Sequence, residues 1–134
     1  SNLPTPGRMN MSEYVDGFVL PVRRDRLEEY KEVAKMAAEI WKEHGALEYW
    51  ECVGEDLRVE GVRSFLDMAD VGEEEVVIFS WVVFASREVR DAANEKILSD
   101  PRMAEIMDLD NPPFDVQRMA FGGFQTIVQP SRAE

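Results

Sequence analysis

The run Val76-Val77-Ile78-Phe79-Ser80-Trp81-Val82-Val83-Phe84 constrains the fold of this chain more than any other feature. β-Branched and aromatic residues dominate it, so it reads as a strand. Side chains alternate along a strand. Val77, Phe79, Trp81 and Val83 therefore share one face, and Val76, Ile78, Ser80, Val82 and Phe84 share the other. Both faces are apolar, so both sides of the sheet need cover. The remaining chain supplies helices for one side. A second copy of the chain is the expected cover for the other.

With 134 residues the chain is sized for one domain. The domain is expected over residues 13–129, with a leader over 1–12 and a polar tail over 130–134. The formal net charge of -12 repels phosphate, which argues against nucleic acid and anionic membrane surfaces as partners. Cys52 is the single cysteine, so no internal disulfide forms, and a cytoplasmic setting is expected. No apolar run reaches the length of a membrane-spanning helix.

Tyr14–Val22 alternates and predicts the first strand. Asp25, with Glu28 three residues on, predicts a capping box at the start of a helix. Leu27, Tyr30, Val33, Ala34, Ala37, Ile40, Trp41 and His44 recur at helical spacing and form its inner face. Gly45 suits the helix end. Ala46–Val53 predicts a second strand, Gly54–Glu74 an acidic loop with a short ordered stretch near 62–68, and Glu75–Phe84 the third strand. Ser86 predicts the cap of a second long helix, with Val89, Ala92, Ala93, Lys96 and Ile97 inward. Pro101 opens a short helix through Met107. Met119–Val128 predicts the last strand, its Gly122-Gly123 pair marking a bulge or a close backbone approach. The resulting order, βαββαβ, is the ferredoxin-like α+β arrangement: one antiparallel sheet with both helices on one face.

Several blocks also resemble a known family. They are Tyr14–Val19, His44-Gly45-Ala46-Leu47 with Glu51-Cys52, Glu75-Val76-Val77 with Phe79-Ser80-Trp81, Ser86–Asn94, Ser99–Met103 and Arg118-Met119 with Phe121-Gly122-Gly123-Phe124. Together they are similar to the YbaA-like family, domain of unknown function 1428. The resemblance implies a ferredoxin-like fold assembled as a dimeric α/β barrel. It implies no reaction and no catalytic set.

Among residues able to carry chemistry, Asp16 has the oddest placement: a carboxylate inside a strand predicted to be central. It needs hydrogen bonds or a cation there. It reads as a base or ligand-orienting group, or as half of a structural pair with Arg118 or Arg90. Arg118 can clamp a carboxylate ligand, or pair with Asp115, Asp16 or Asp91. His44, the one histidine, suits a helix C-terminus. Trp50, Trp81 and Tyr49 can line an aromatic ligand pocket, or serve as core and subunit interface. No metal site is predicted: Gly45 breaks the helical spacing between His44 and Glu48, and adding Cys52 leaves a poor zinc set. The acidic run 108–113 fails the calcium-loop pattern. No cofactor motif is present.

The expected function is a homodimer, paired through its sheet faces, that binds a small molecule. One alternative is a cofactor-independent enzyme of the monooxygenase or isomerase type, with Asp16 as base and Arg118 as anion clamp. A binding role would survive Asp16→Asn. A second alternative is a protein-interaction module acting through an acidic loop.

Overall fold

In the computed structural model, which describes residues 12–130, the long apolar segment is a strand, β3 (Glu75–Phe84), with β1 (Tyr14–Arg23) hydrogen-bonded along its full length. The predicted leader and tail lie outside the described residues except for Ser12 and Pro130. β2 (Glu48–Val53) pairs with the other edge of β3, and β4 (Ala120–Gln125) with β1. All pairings are antiparallel and the sheet order is β2-β3-β1-β4. This is the ferredoxin-like α+β fold.

The helices are α1 (Leu27–Glu43), the single-turn α2 (Phe65–Met68), α3 (Arg87–Leu98) and α4 (Pro101–Met107). Ser86 and Asp100 cap α3 and α4 by accepting from the backbone N–H of Val89 and Arg102. Gly45 follows α1 at φ 124°, a left-handed conformation that glycine takes without a side-chain clash.

α1 starts differently from the expectation. A 3-10 turn, Arg24–Arg26, precedes it, and neither Arg23 nor Arg26, the residues at the two N-cap positions, caps it with its side chain. Asp25 is held instead by Arg23, and Glu28 by Lys31. Nearby cations compete for these carboxylates and win them from the backbone. On α3 the buried face is rotated from the predicted one: Ala93 and Ile97 are buried, whereas Val89, Ala92 and Lys96 are exposed. Arg90 and Asn94 take the half-buried positions instead. β4 stops at Gln125, leaving Ile127 and Val128 exposed. Its pairing with β1 runs through Gly122 and Gly123 without a bulge. The glycine pair serves close approach: a Cβ on Gly123 would collide with the Tyr14 hydroxyl and lie 2.6 Å from Arg90 Nη2.

The core beneath the helices has two lobes. Ile40, Val82, Phe84, Ile97 and Ile106 anchor one; Leu20, Val22, Tyr30, Ala34 and Ile78 anchor the other. Phe18 and Phe114 pack on both.

The opposite sheet face is less bare than the sequence suggests. Val77 and Val83 are buried by the chain itself, and Phe65, just ahead of the third strand in the former acidic loop, packs on Phe79 with ring centroids 6.1 Å apart. Trp50 remains 50% exposed and Phe124 62% exposed on that face.

Candidate functional site

The seam between the two core lobes opens into a cleft of about 460 Å³. Its floor is the helix-side face of the sheet, and α1, α3, α4 and the segment Phe114–Met119 form its walls. This volume lies in the range of ligand sites. The walls are overwhelmingly apolar. Four of the lining residues, Leu98, Met107, Val116 and Phe121, are also exposed on the surface, Leu98 to 81%. The cleft therefore has an apolar mouth.

Strand alternation places the polar groups in it. Tyr49 and Glu51, two residues apart on β2, point the same way. Glu51 lies opposite Ser80, and Ser80 opposite Phe18, so a row crosses the sheet under the cleft. Tyr30 comes down from α1. Its hydroxyl donates to Glu51 Oε1 at 2.7 Å, and the Tyr49 hydroxyl donates to Oε2 at 2.7 Å. Burial pushes the Glu51 carboxyl above its usual range, while the two phenol hydrogen bonds pull it down. Burial and the neighbouring carboxylate raise both tyrosines. Ser80 is 2% exposed and lines the cleft, and its hydroxyl hydrogen-bonds to no other described side chain.

Asp16 sits at one end of the cleft, 1% exposed. It is fully engaged by Arg90: Nε donates to both carboxylate oxygens at 3.0 and 3.1 Å, and Nη2 lies 2.9 Å from Oδ1. That hydrogen bonding raises the Arg90 pKa further. Arg90 also stacks over the Tyr14 ring at 5.1 Å. Of the two partners weighed from sequence, the structure uses Arg90.

Arg118 lies away from the cleft. It forms two hydrogen bonds with Glu75, at 2.6 and 2.9 Å, and donates to the Asp70 carbonyl. None of the partners expected for it, Asp115, Asp16 or Asp91, forms that pair: Arg90 holds Asp16 and Asp91, and Asp115 accepts from the Gln117 backbone N–H. The structure thus does not bring Asp16 and Arg118 together. His44 is also remote. Its Nε2 meets Asp100 Oδ2 at 2.9 Å, and Asp100 is shared with Arg102, which holds its carboxyl far below the usual range.

The three aromatic candidates divide between faces. Tyr49 lines the cleft beside Trp41, centroids 6.1 Å apart. Trp50 and Trp81 stack on the opposite face at 5.9 Å. Glu48 and Cys52 share that outer face, while His44 turns to Asp100, so these three residues do not converge.

Sequence reasoning missed Glu51 and Tyr30. The signal was present: Glu51 alternates in phase with Tyr49 toward the helices, as unusual a place for a carboxylate as that of Asp16.

Fold and site together define a ferredoxin-like α+β protein with an apolar cleft between sheet and helices and a tyrosine-held carboxylate in its wall. Residues 13–116 match the family described as Protein of unknown function (DUF1428), and the chain belongs to that family. The uncharacterized protein YbaA of Escherichia coli is 46% identical over 116 residues, which span 87% of this chain and 97% of the relative. Among solved structures, a NIPSNAP-family protein of unknown function from Agrobacterium tumefaciens superposes with a TM-score of 0.57. It covers 87% of this chain and 89% of its own at 13% identity. A protein of unknown function from Nitrosomonas europaea reaches a TM-score of 0.50 at 11% identity, covering 93% and 99%. At these identities the two structures show the fold alone.

Proposed function

We propose that the chain binds a small, uncharged, mainly apolar molecule in the cleft, its one polar end lying over Glu51 and Ser80. The observation that carries this reading is the Glu51 carboxylate fixed by Tyr30 and Tyr49 in an otherwise apolar wall. A buried carboxylate costs stability unless it is well hydrogen-bonded. Two phenols leave it further lone pairs, and Glu51 itself lines the cleft. Ser80 adds a hydroxyl that can donate or accept. The buried carboxylate and the acidic surface both disfavour an anionic ligand.

Titration calorimetry with 2-naphthol and 2-naphthoate tests this. 2-Naphthol is expected to bind, and Glu51→Ala to weaken it about tenfold or more, the worth of a hydrogen bond to a charged group. 2-Naphthoate is expected to be rejected. Equal binding of both, or of neither, overturns the reading.

We further infer that a second copy covers the outer sheet face. Trp50, Phe79 and Phe124 stand exposed there, on one side of one sheet. Burying each such side chain contributes about 1.5–3 kcal/mol.

A further inference from the structure

We propose that Glu51 is the catalytic base of a proton transfer from carbon, acting on a small uncharged ketone or aldehyde held in the cleft. The inference rests on the ligand-binding reading above and names its substrate class.

Glu51 stands between two spaces. The cleft lies on one side. On the other is a smaller groove of about 270 Å³, bounded by Lys31 and Lys35 of α1 and by Cys52 and Val53 of β2. Both spaces share Tyr30, Ala34, Tyr49 and Glu51. A proton taken up on the cleft side therefore has a short route to the α1–β2 groove. A binding residue alone has no need of that second access.

The neighbours suit the chemistry. Ser80 is the cross-strand partner of Glu51, on the same face and the next strand. Its unengaged hydroxyl can donate to a carbonyl oxygen while Glu51 faces the adjacent carbon. Tyr30 and Tyr49, one on each carboxylate oxygen, fix the orientation of the base. The apolar walls lower the local dielectric and so strengthen both interactions. Burial also raises the basicity of the carboxylate, in the direction general-base catalysis favours.

The step balances without a redox partner. The C–H bond α to the carbonyl breaks, and its proton goes to a Glu51 oxygen. The C–H electron pair becomes the C=C bond of an enolate, the former C=O π pair moves onto oxygen, and Ser80 donates to that oxygen. The proton then returns, to the same carbon or, in a β,γ-unsaturated ketone, to the γ-carbon with a shift of the double bond.

The probe is 2-tetralone, whose acidic methylene protons exchange in D2O. Exchange is followed by proton NMR, and binding of 2-tetralone is measured on the same samples by calorimetry. Wild-type protein is expected to accelerate exchange over buffer. Glu51→Gln should lower the protein-dependent rate about a hundredfold or more, and Ser80→Ala about tenfold or more. If 2-tetralone binds but exchanges equally fast with wild type and Glu51→Gln, the proton-transfer role is overturned and the binding reading stands. If neither 2-tetralone nor 2-naphthol binds, the binding reading falls and takes this inference with it. Should Glu51→Gln fail to fold, Ser80→Ala decides: a wild-type exchange rate overturns the mechanism.

Discussion

Tyr30 and Glu51 come from different layers, helix α1 and strand β2, and meet at 2.7 Å between Oη and Oε1. This contact ties the helix to the sheet edge at the point where the cleft and the outer groove meet. Tyr30→Phe removes the donor and keeps the ring. A hydrogen bond to a charged group contributes about 1.5–3 kcal/mol, and the variant should lose about that much stability in urea unfolding. A midpoint level with wild type would mean the contact contributes nothing net.

Glu51 also predicts an unusual pH dependence. Its folded pKa lies above the usual 4.5 because burial outweighs the phenol hydrogen bonds. The native state therefore holds this proton more tightly than the unfolded chain does. Its contribution to stability is full below the unfolded pKa and declines as pH rises through the folded one. Glu51→Gln has no proton to lose, so the stability of wild type relative to this variant should fall as pH climbs from 4.5. A difference that grows with pH would place the Glu51 pKa below its usual value. Asp100 has the opposite sign: lowered by Arg102 first and His44 next, it supports the fold above the usual 3.8 and loses that support in acid.

The sequence made the sheet legible because its signals are local. The apolar run of β3, the alternation of Tyr14–Val22, the Ser86 cap and Pro101 at the start of α4 each act within a few residues. The cleft was less legible because its polar groups are joined through space. Glu51 meets Tyr30 across 21 positions and Asp16 meets Arg90 across 74. Alternation places Glu51 and Asp16 on the inward face, yet it does not say which partner arrives. Arg118 shows the same limit, since several carboxylates could claim it and only the fold brings it to Glu75, 43 positions away. The start of α1 misled for a related reason: Asp25 had the right spacing for a cap, but Arg23 lies at 2.8 Å and takes it.

The Asp16–Arg90 pair sets a second stability prediction. Removing one partner of a buried pair leaves the other charge uncompensated, at about 3–5 kcal/mol. Arg90→Leu should destabilise by that amount. Gly123→Ala attacks the same place from β4, because its Cβ would press on the Tyr14 ring and the Arg90 guanidinium. Overpacking of this kind costs about 1–3 kcal/mol. In the Arg90→Leu background the shorter, unanchored side chain should relieve part of that clash, so the two effects should combine to less than their sum. Strict additivity in chemical denaturation would show that Gly123 and Arg90 are not in contact.

The outer face predicts assembly. Trp50→Arg puts a charge into the stacked Trp50–Trp81 pair, where ring centroids are 5.9 Å apart. Central aromatic anchors of interfaces carry about 2 kcal/mol or more. The variant should therefore weaken self-association about thirtyfold or more while leaving the near-ultraviolet signature of the cleft aromatics Trp41 and Tyr49 in place. Analytical ultracentrifugation of wild type that shows a monomer at micromolar concentration would remove the second copy from the outer face.

The cleft itself can be closed without touching its polar groups. Ala37 on α1 lines the apolar wall with Val33 and Trp41 and takes no part in the Glu51 hydrogen bonds. A phenylalanine there would occupy part of the roughly 460 Å³ space. If that space is an unfilled packing defect, Ala37→Phe stabilises the chain by about 0.5–2 kcal/mol, as cavity-filling substitutions commonly do. It should do so while abolishing 2-naphthol binding and leaving the pH dependence due to Glu51 intact. That combination separates a binding space from a structural carboxylate. Stability and ligand binding would move in opposite directions at Ala37, and in the same direction at Tyr30 if its hydroxyl orients the ligand-facing carboxylate. Calorimetry and urea unfolding on the two variants decide it. Unchanged 2-naphthol affinity in Ala37→Phe would move the ligand out of this cleft.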